Sequence, residues 1–201
     1  PIHNLETKLH KDCKFINLNF SRDINIPIDV IALLRLFIIL LLNRYYCVLT
    51  FTPKGGLLGM ITSFFSGTKY RIHWFGGQVW ANKSGSIKSI LKFFDKLIYF
   101  FSTNALTECK SQKKFLEEQK IVKFNYLKVL GNGSICGVDN TRFRPNKNFR
   151  NSIRFNYNIP DNNFVVLYLG RLNIDKGVYD LIKAAEYILA NYNNINFMFV
   201  G

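Results

Sequence analysis

No two cysteines in this sequence are spaced C-x-x-C; the four present, Cys13, Cys47, Cys109 and Cys136, lie far apart. That pattern gives neither a structural zinc site nor a redox pair, and it leaves reduced thiols as the expectation. Acidic residues are scarce, with 13 Asp and Glu against 27 Lys and Arg and a formal net charge of +14. Such an excess points to an anionic partner: nucleic acid, anionic lipid or a phosphorylated substrate. A clean apolar run of bilayer length is also missing. The most apolar stretch, IPIDVIALLRLFIILLL (26–42), contains Asp29 and Arg35, and reads as a buried or interfacial helix rather than a span. The polar opening, PIHNLETKLHKDCK, is not a secretory signal, and it has no initiator methionine, so the chain is expected to begin inside a longer protein.

Apolar residues make up 48% of the 201, which is enough for a packed core. They alternate between short runs rich in β-branched and aromatic residues and longer stretches of helical period. Strands are expected at 13–19, 46–51, 70–75, 104–108, 127–130, 164–169 and 195–200. Helices are expected near 28–43, 56–65, 86–102, 111–119, 149–157 and 177–191. Strand–helix alternation of this kind builds βαβ units and a parallel sheet. Between Gly131 and Asn148 the rhythm gives way to GNGSICGVDNTRFRPNKN, so two domains are expected, 1–144 and 145–201, the second incomplete and continuing past Gly201.

Open α/β sheets bind ligands at the carboxyl ends of their strands, so the residues that follow each strand carry the functional reading. After 46–51 comes TPKGG, where Gly55 and Gly56 permit close backbone approach and Lys54 adds charge; a plain glycine turn with a solvated lysine fits equally well. After YRI comes HWFGGQVW, a loop that gathers His73, Gly76, Gly77, Gln78 and Trp80. Its imidazole could donate to a hydroxyl or polarise a leaving group, or simply pack. The third place is FVVLYLGRLNIDKG. Here Arg171 follows Gly170, and Lys176 stands where the next helix is expected to begin. A helix start already carries partial positive charge, so cations there are unfavourable unless an anion lies close, and a diphosphate meets that requirement. The glycines of LKVLGNGSICG miss the G-x-G-x-x-G spacing by one position, and no helical pattern follows them, which argues against a nicotinamide site. The stretch SIKSILKFFDKLIYFF (86–101) repeats Lys88, Lys92 and Lys96 along one side of an otherwise apolar helix; a membrane-interface helix and a core helix with a solvated stripe share this pattern.

Taken together, TFTPKGGLLGM, RIHWFGGQVWA, ALTECKSQKKFL, VLGNGSICGVDNTRFRP and VLYLGRLNIDKGVYDLIKAA resemble glycosyltransferases of family 4, over about residue 45 to the C-terminus. The resemblance implies an α/β fold of the GT-B type, with two Rossmann-like doubly wound domains, the second truncated here. It implies transfer of a sugar from a nucleotide-sugar, read as a UDP-sugar, to a polysaccharide or lipid-linked oligosaccharide, with retention and without a metal. Arg171 and Lys176 would hold the donor diphosphate, and His73 would stand near the transferred sugar. Gly76, Gly77 and Gly170 would allow the donor's approach, and Lys54, Gln78 and Trp80 are placed on the acceptor side. The nucleotide-sugar is a co-substrate, so no cofactor is expected. No Asp-x-Asp pair is present, and the family's late acidic donor motif is absent from these residues. A cytoplasmic protein, peripheral on the inner face of an anionic membrane, is the expected setting. Two rival readings are a basic nucleic-acid-binding domain and a non-catalytic or truncated relative. The first is disfavoured because the aromatics fall at core positions rather than between the cations.

Overall fold

The computed structural model describes residues 13–19 and 24–201. The chain divides between Gly137 and Val138 into two compact units, seven residues ahead of the boundary read from the sequence.

In the first unit, helix α1 (Ile26–Asn43) precedes strand β1 (Cys47–Thr50), helix α2 (Pro53–Phe65), strand β2 (Tyr70–Phe75) and helix α3 (Gly85–Phe101). Strand β3 (Asn104–Thr107), helix α4 (Lys110–Glu118) and strand β4 (Lys128–Val129) complete it. The four strands form one parallel sheet in the order β1-β2-β3-β4, with Thr50 opposite His73, and His73 opposite Ala105. Met60, Phe75, Trp80, Ile98 and Leu116 lie in its buried cluster.

Local chemistry sets the helix starts. Asn25 accepts from the Ile28 amide and Asp29 accepts from the Asn25 amide, a reciprocal cap on α1. Thr52 accepts from the Gly55 amide ahead of Pro53, which stands at the permitted start of α2. The strand expected at 13–19 does not form. Asn19 takes a left-handed conformation and its amide donates to the Asn17 side chain, and residues 13–19 join no ladder among the described residues. Of the two settings expected for helix α1, buried or interfacial, the buried one does not hold: Ala32 and Leu40 are its buried residues, Ile31, Leu34 and Ile38 are exposed, and by length and composition the helix is apolar enough to cross a membrane.

In the second unit, Val138–Gly201, helix α5 (Lys147–Asn156) leads to strand β5 (Phe164–Leu169), a single 3-10 turn (Ile174–Lys176), helix α6 (Val178–Asn191) and strand β6 (Ile195–Val200). Strands β5 and β6 pair in parallel from Phe164 with Ile195 to Leu169 with Val200. Arg154 donates to the carbonyls of Pro160 and Asn163, which fixes the turn between α5 and β5.

Candidate active site

In the first unit the strand ends converge on the loop after β2. His73 does not stand at the strand's end, as the sequence suggested; Trp74 and Phe75 still belong to β2. It is 2% exposed, its Nδ1 shares a 2.8 Å hydrogen bond with Thr50 Oγ1, and Phe75 meets the ring edge-on. Burial pushes its pKa down to about 4, so the ring is neutral near pH 7. Gly56, in the first turn of α2, lies directly over this ring, with no room for a side chain. Close packing inside the protein therefore accounts for one glycine of TPKGG. The Lys54 ammonium lies 2.6 Å from the Asp29 carboxylate, an ion pair that ties α2 to α1.

Trp80 is a correction. It is 1% exposed, stacks on Phe115 and donates from Nε1 to Asp95 Oδ2 at 2.7 Å, so it is a core residue and presents no face to an acceptor. Of the three lysines spaced along α3, Lys92 covers the Trp80 ring and donates to Gln119 Oε1. Asp95 is buried, and desolvation raises its pKa to about 6 against the opposing pull of the indole N–H.

Gly76, Gly77 and Gln78 remain at the strand end. A side chain added at Gly77 would meet nothing within 4 Å, and one at Gly76 would meet Glu108 Oε1 at 3.8 Å. Neither glycine has a positive φ. Gln78 Nε2 donates to the Gly76 carbonyl at 2.6 Å. The loop is held by Gln112, in the first turn of α4. Its Oε1 accepts from the Glu108 amide at 2.9 Å and from Thr107 Oγ1, and its Nε2 donates to the Gly76 carbonyl and to Gln78 Oε1. The sequence reading missed Gln112 and Glu108. The available signal was a glutamine three residues past the cap of the helix after β3, the position from which an amide reaches back to free backbone donors.

Gly133 closes the other side of Glu108. It adopts φ +99 against the Glu108 carbonyl, which accepts from the Ser134 amide at 2.7 Å. Gly131 and Gly137 are also left-handed, and the next helix begins at Lys147, so these glycines serve turns rather than a dinucleotide.

In the second unit Gly170 follows β5, its amide bonded to the Val200 carbonyl, and the Arg171 carbonyl accepts from Tyr168 Oη. Lys176 is not the first residue of α6. It ends the 3-10 turn, Gly177 takes a left-handed conformation and α6 starts at Val178 with Asp180 in its first turn. Arg171, Asp175 and Lys176 form no ion pair among the described residues. Both cations are exposed after a parallel strand, on the side where such sheets bind ligands, with no ion pair among the described residues and with Asp175 and Asp180 as their acidic neighbours in sequence.

Residues 149–201 match the model of the glycosyl transferases group 1 family. Over 182 residues the chain is 28% identical to the capsular polysaccharide biosynthesis glycosyltransferase CapM of Staphylococcus aureus, covering 90% of this chain and 47% of that protein. It is 26% identical over 171 residues to the UDP-Gal:alpha-D-GlcNAc-diphosphoundecaprenol alpha-1,3-galactosyltransferase of Escherichia coli, covering 85% and 43%. The chain spans about half the length of the curated relatives it matches. The crystal structure of Anabaena HepE in complex with UDP superimposes with a TM-score of 0.61 at 16% identity, over 85% of this chain and 52% of that one. The chain therefore has an α/β fold of the GT-B type, with glycosyltransferases as sequence relatives and a C-terminal stretch that matches the group 1 glycosyl transferase model.

Proposed function

We propose that the chain is part of a glycosyltransferase that moves a sugar from a UDP-sugar to a polysaccharide or lipid-linked oligosaccharide, with retention and without a metal. One observation carries the reading: Arg171 and Lys176 follow β5, exposed and without an ion pair among the described residues, inside the segment that matches the group 1 model. A diphosphate would neutralise them. The guanidinium offers two parallel donors, the ammonium adds a point charge, and both favour a leaving nucleotide as its negative charge develops. The relatives support the substrate classes, since one is named for UDP-Gal and a diphosphoundecaprenol-linked acceptor and the other for capsular polysaccharide. His73, neutral and enclosed, enters as the support beneath the start of α2 rather than as a proton carrier. Reversing one charge tests the assignment. In the full-length protein Arg171→Glu is expected to weaken UDP binding about tenfold or more by calorimetry, since hydrogen bonds to charged groups contribute about 1.5–3 kcal/mol; unchanged affinity removes the diphosphate site.

We place the protein at the cytoplasmic face of the membrane. The exposed Ile31, Leu34 and Ile38 of α1, with Ile87, Ile90 and Phe93 of α3, offer apolar surface on a chain of net charge +14. Insertion of apolar side chains combined with attraction to anionic headgroups gives reversible binding. Full-length protein is expected to sediment with phosphatidylglycerol vesicles at low salt and to be released in part by high salt. Protein that stays in the supernatant at low salt refutes the placement.

A further inference from the structure

We propose that Gln112 is the positioning residue that holds the Gly76–Gln78 loop in its ligand-receptive shape, an inference that rests on the glycosyl-transfer reading above. A side-chain amide has two acceptor positions on its oxygen and two donors on its nitrogen, and Gln112 fills all four. The oxygen takes the Thr107 hydroxyl and the Glu108 amide; the nitrogen gives to the Gly76 carbonyl and to Gln78 Oε1. One planar group thus joins the end of β2 to the end of β3 from the first turn of α4. Its anchor is firm, because Thr107 is fully buried.

What this amide holds in place is a loop whose glycines the fold does not require. Gly77 faces open space, Gly76 has only the Glu108 carboxylate near it, and neither needs a left-handed backbone. Missing side chains at a strand's carboxyl end leave room for a ligand to reach the backbone. Glu108 is clamped at both of its backbone groups, its N–H by Gln112 and its C=O by the Ser134 amide, and its carboxylate reaches to 3.8 Å from where a side chain at Gly76 would begin. Gln112 acts through these two neighbours and needs no contact with substrate.

The amide nitrogen is the group on which this role depends, and Gln112→Glu isolates it. The variant keeps the size and the acceptor toward Thr107 and Glu108, and it sets a carboxylate oxygen against the Gly76 carbonyl. In the full-length protein three measurements are compared with wild type: hydrogen exchange of the amides at 76–81, steady-state kinetics with a UDP-sugar, and thermal unfolding. Exchange in the loop is expected to rise and donor kcat/KM to fall by about tenfold to a hundredfold, the scale of a misplaced positioning group. The unfolding transition is expected to fall by a few degrees, since two donors are lost and a carboxylate faces two acceptors, so kinetics and exchange are read well below it. A change confined to the unfolding temperature, with kcat and KM of the folded fraction unaltered, would mean that Gln112 is merely structural and would overturn the proposal. Unchanged exchange does so equally. A wild type that transfers no sugar but a variant with raised exchange removes the transferase reading while Gln112's hold on the loop stands. Should the glutamate variant not fold, Gln112→Met, of similar volume and without charge, is read by the same three measurements.

Discussion

Gly56→Ala is expected to lower the stability of the first unit by about 3 kcal/mol, a loss of roughly 10 °C in its unfolding temperature. The added methyl would fall 2.7 Å from His73 Nδ1 and closer still to Cε1, distances that real side chains do not tolerate. Neither partner can yield cheaply. His73 is enclosed, bonded to Thr50 and braced by Phe75, and the backbone at Gly56 donates to the Thr52 carbonyl inside the first turn of α2. Alanine's better helix propensity returns only about 1 kcal/mol. Two companion variants read the cause. Gly77→Ala, in open space, should unfold with wild type to within about 0.5 kcal/mol. In Gly56→Ala/His73→Ala the combined loss should be smaller than the sum of the single losses, because removing the ring makes room for the methyl. Strict additivity would show that the clash is not with His73.

That glycine illustrates which parts of the structure the sequence announces. Most of its strands and helices between residues 46 and 200 are legible because they are long enough to show a period and are bounded by a cap or a turn residue, as with Thr52 before α2 and Asn146 before α5; β4, of two residues, shows none. Residues 13–19 mislead because alternation states only that a segment suits a ladder, not that a partner strand lies beside it. Strand-end glycines and polar side chains are equally legible as a set, but not their division of labour. Gly56 and Gly77 look alike in sequence; one is required by a buried ring and the other by nothing in the unit. Trp80 reads as a ligand-stacking group until its distance to Asp95, fifteen residues on, is known. Gln112 is inconspicuous for the same reason: its four hydrogen bonds go to residues 76, 78, 107 and 108, which only the parallel pairing of β2 with β3 brings together. By contrast, Arg171 and Lys176 stand out from sequence alone, because an unfavourable charge at a helix approach is visible without any tertiary contact. Their spacing from α6 was not visible, since a 3-10 turn of three residues has no period to read.

Asp95→Asn is expected to stabilise the first unit by on the order of 2 kcal/mol above pH 6 and to leave it unchanged at acid pH. The Asp95 carboxyl is raised by burial to about 6, so the folded state takes up a proton more readily than the unfolded chain, whose Asp titrates near 3.8. A group shifted in this direction gives its full stability below pH 3.8 and loses it as the pH rises through 6, where a buried carboxylate must be kept charged. Asparagine carries no such cost. Its carbonyl oxygen can still accept from Trp80 Nε1, and Asp95 has no sealed, unpartnered oxygen whose replacement by an amide would strand a donor. His73 works with the opposite sign: held at about 4 against an ordinary 6.5, it contributes stability above pH 6.5 that is lost as the pH falls through 4. In the wild type the two slopes oppose each other between pH 4 and 6. The variant should therefore lose the opposing slope, with stability that rises more steeply than the wild type's from pH 4 to 6. Thermal unfolding of both proteins from pH 4 to 8 measures this directly. Parallel curves, or a variant less stable than wild type at pH 8, would show that the Asp95 carboxylate is compensated where it sits and that its bond to Trp80 outweighs the burial of its charge.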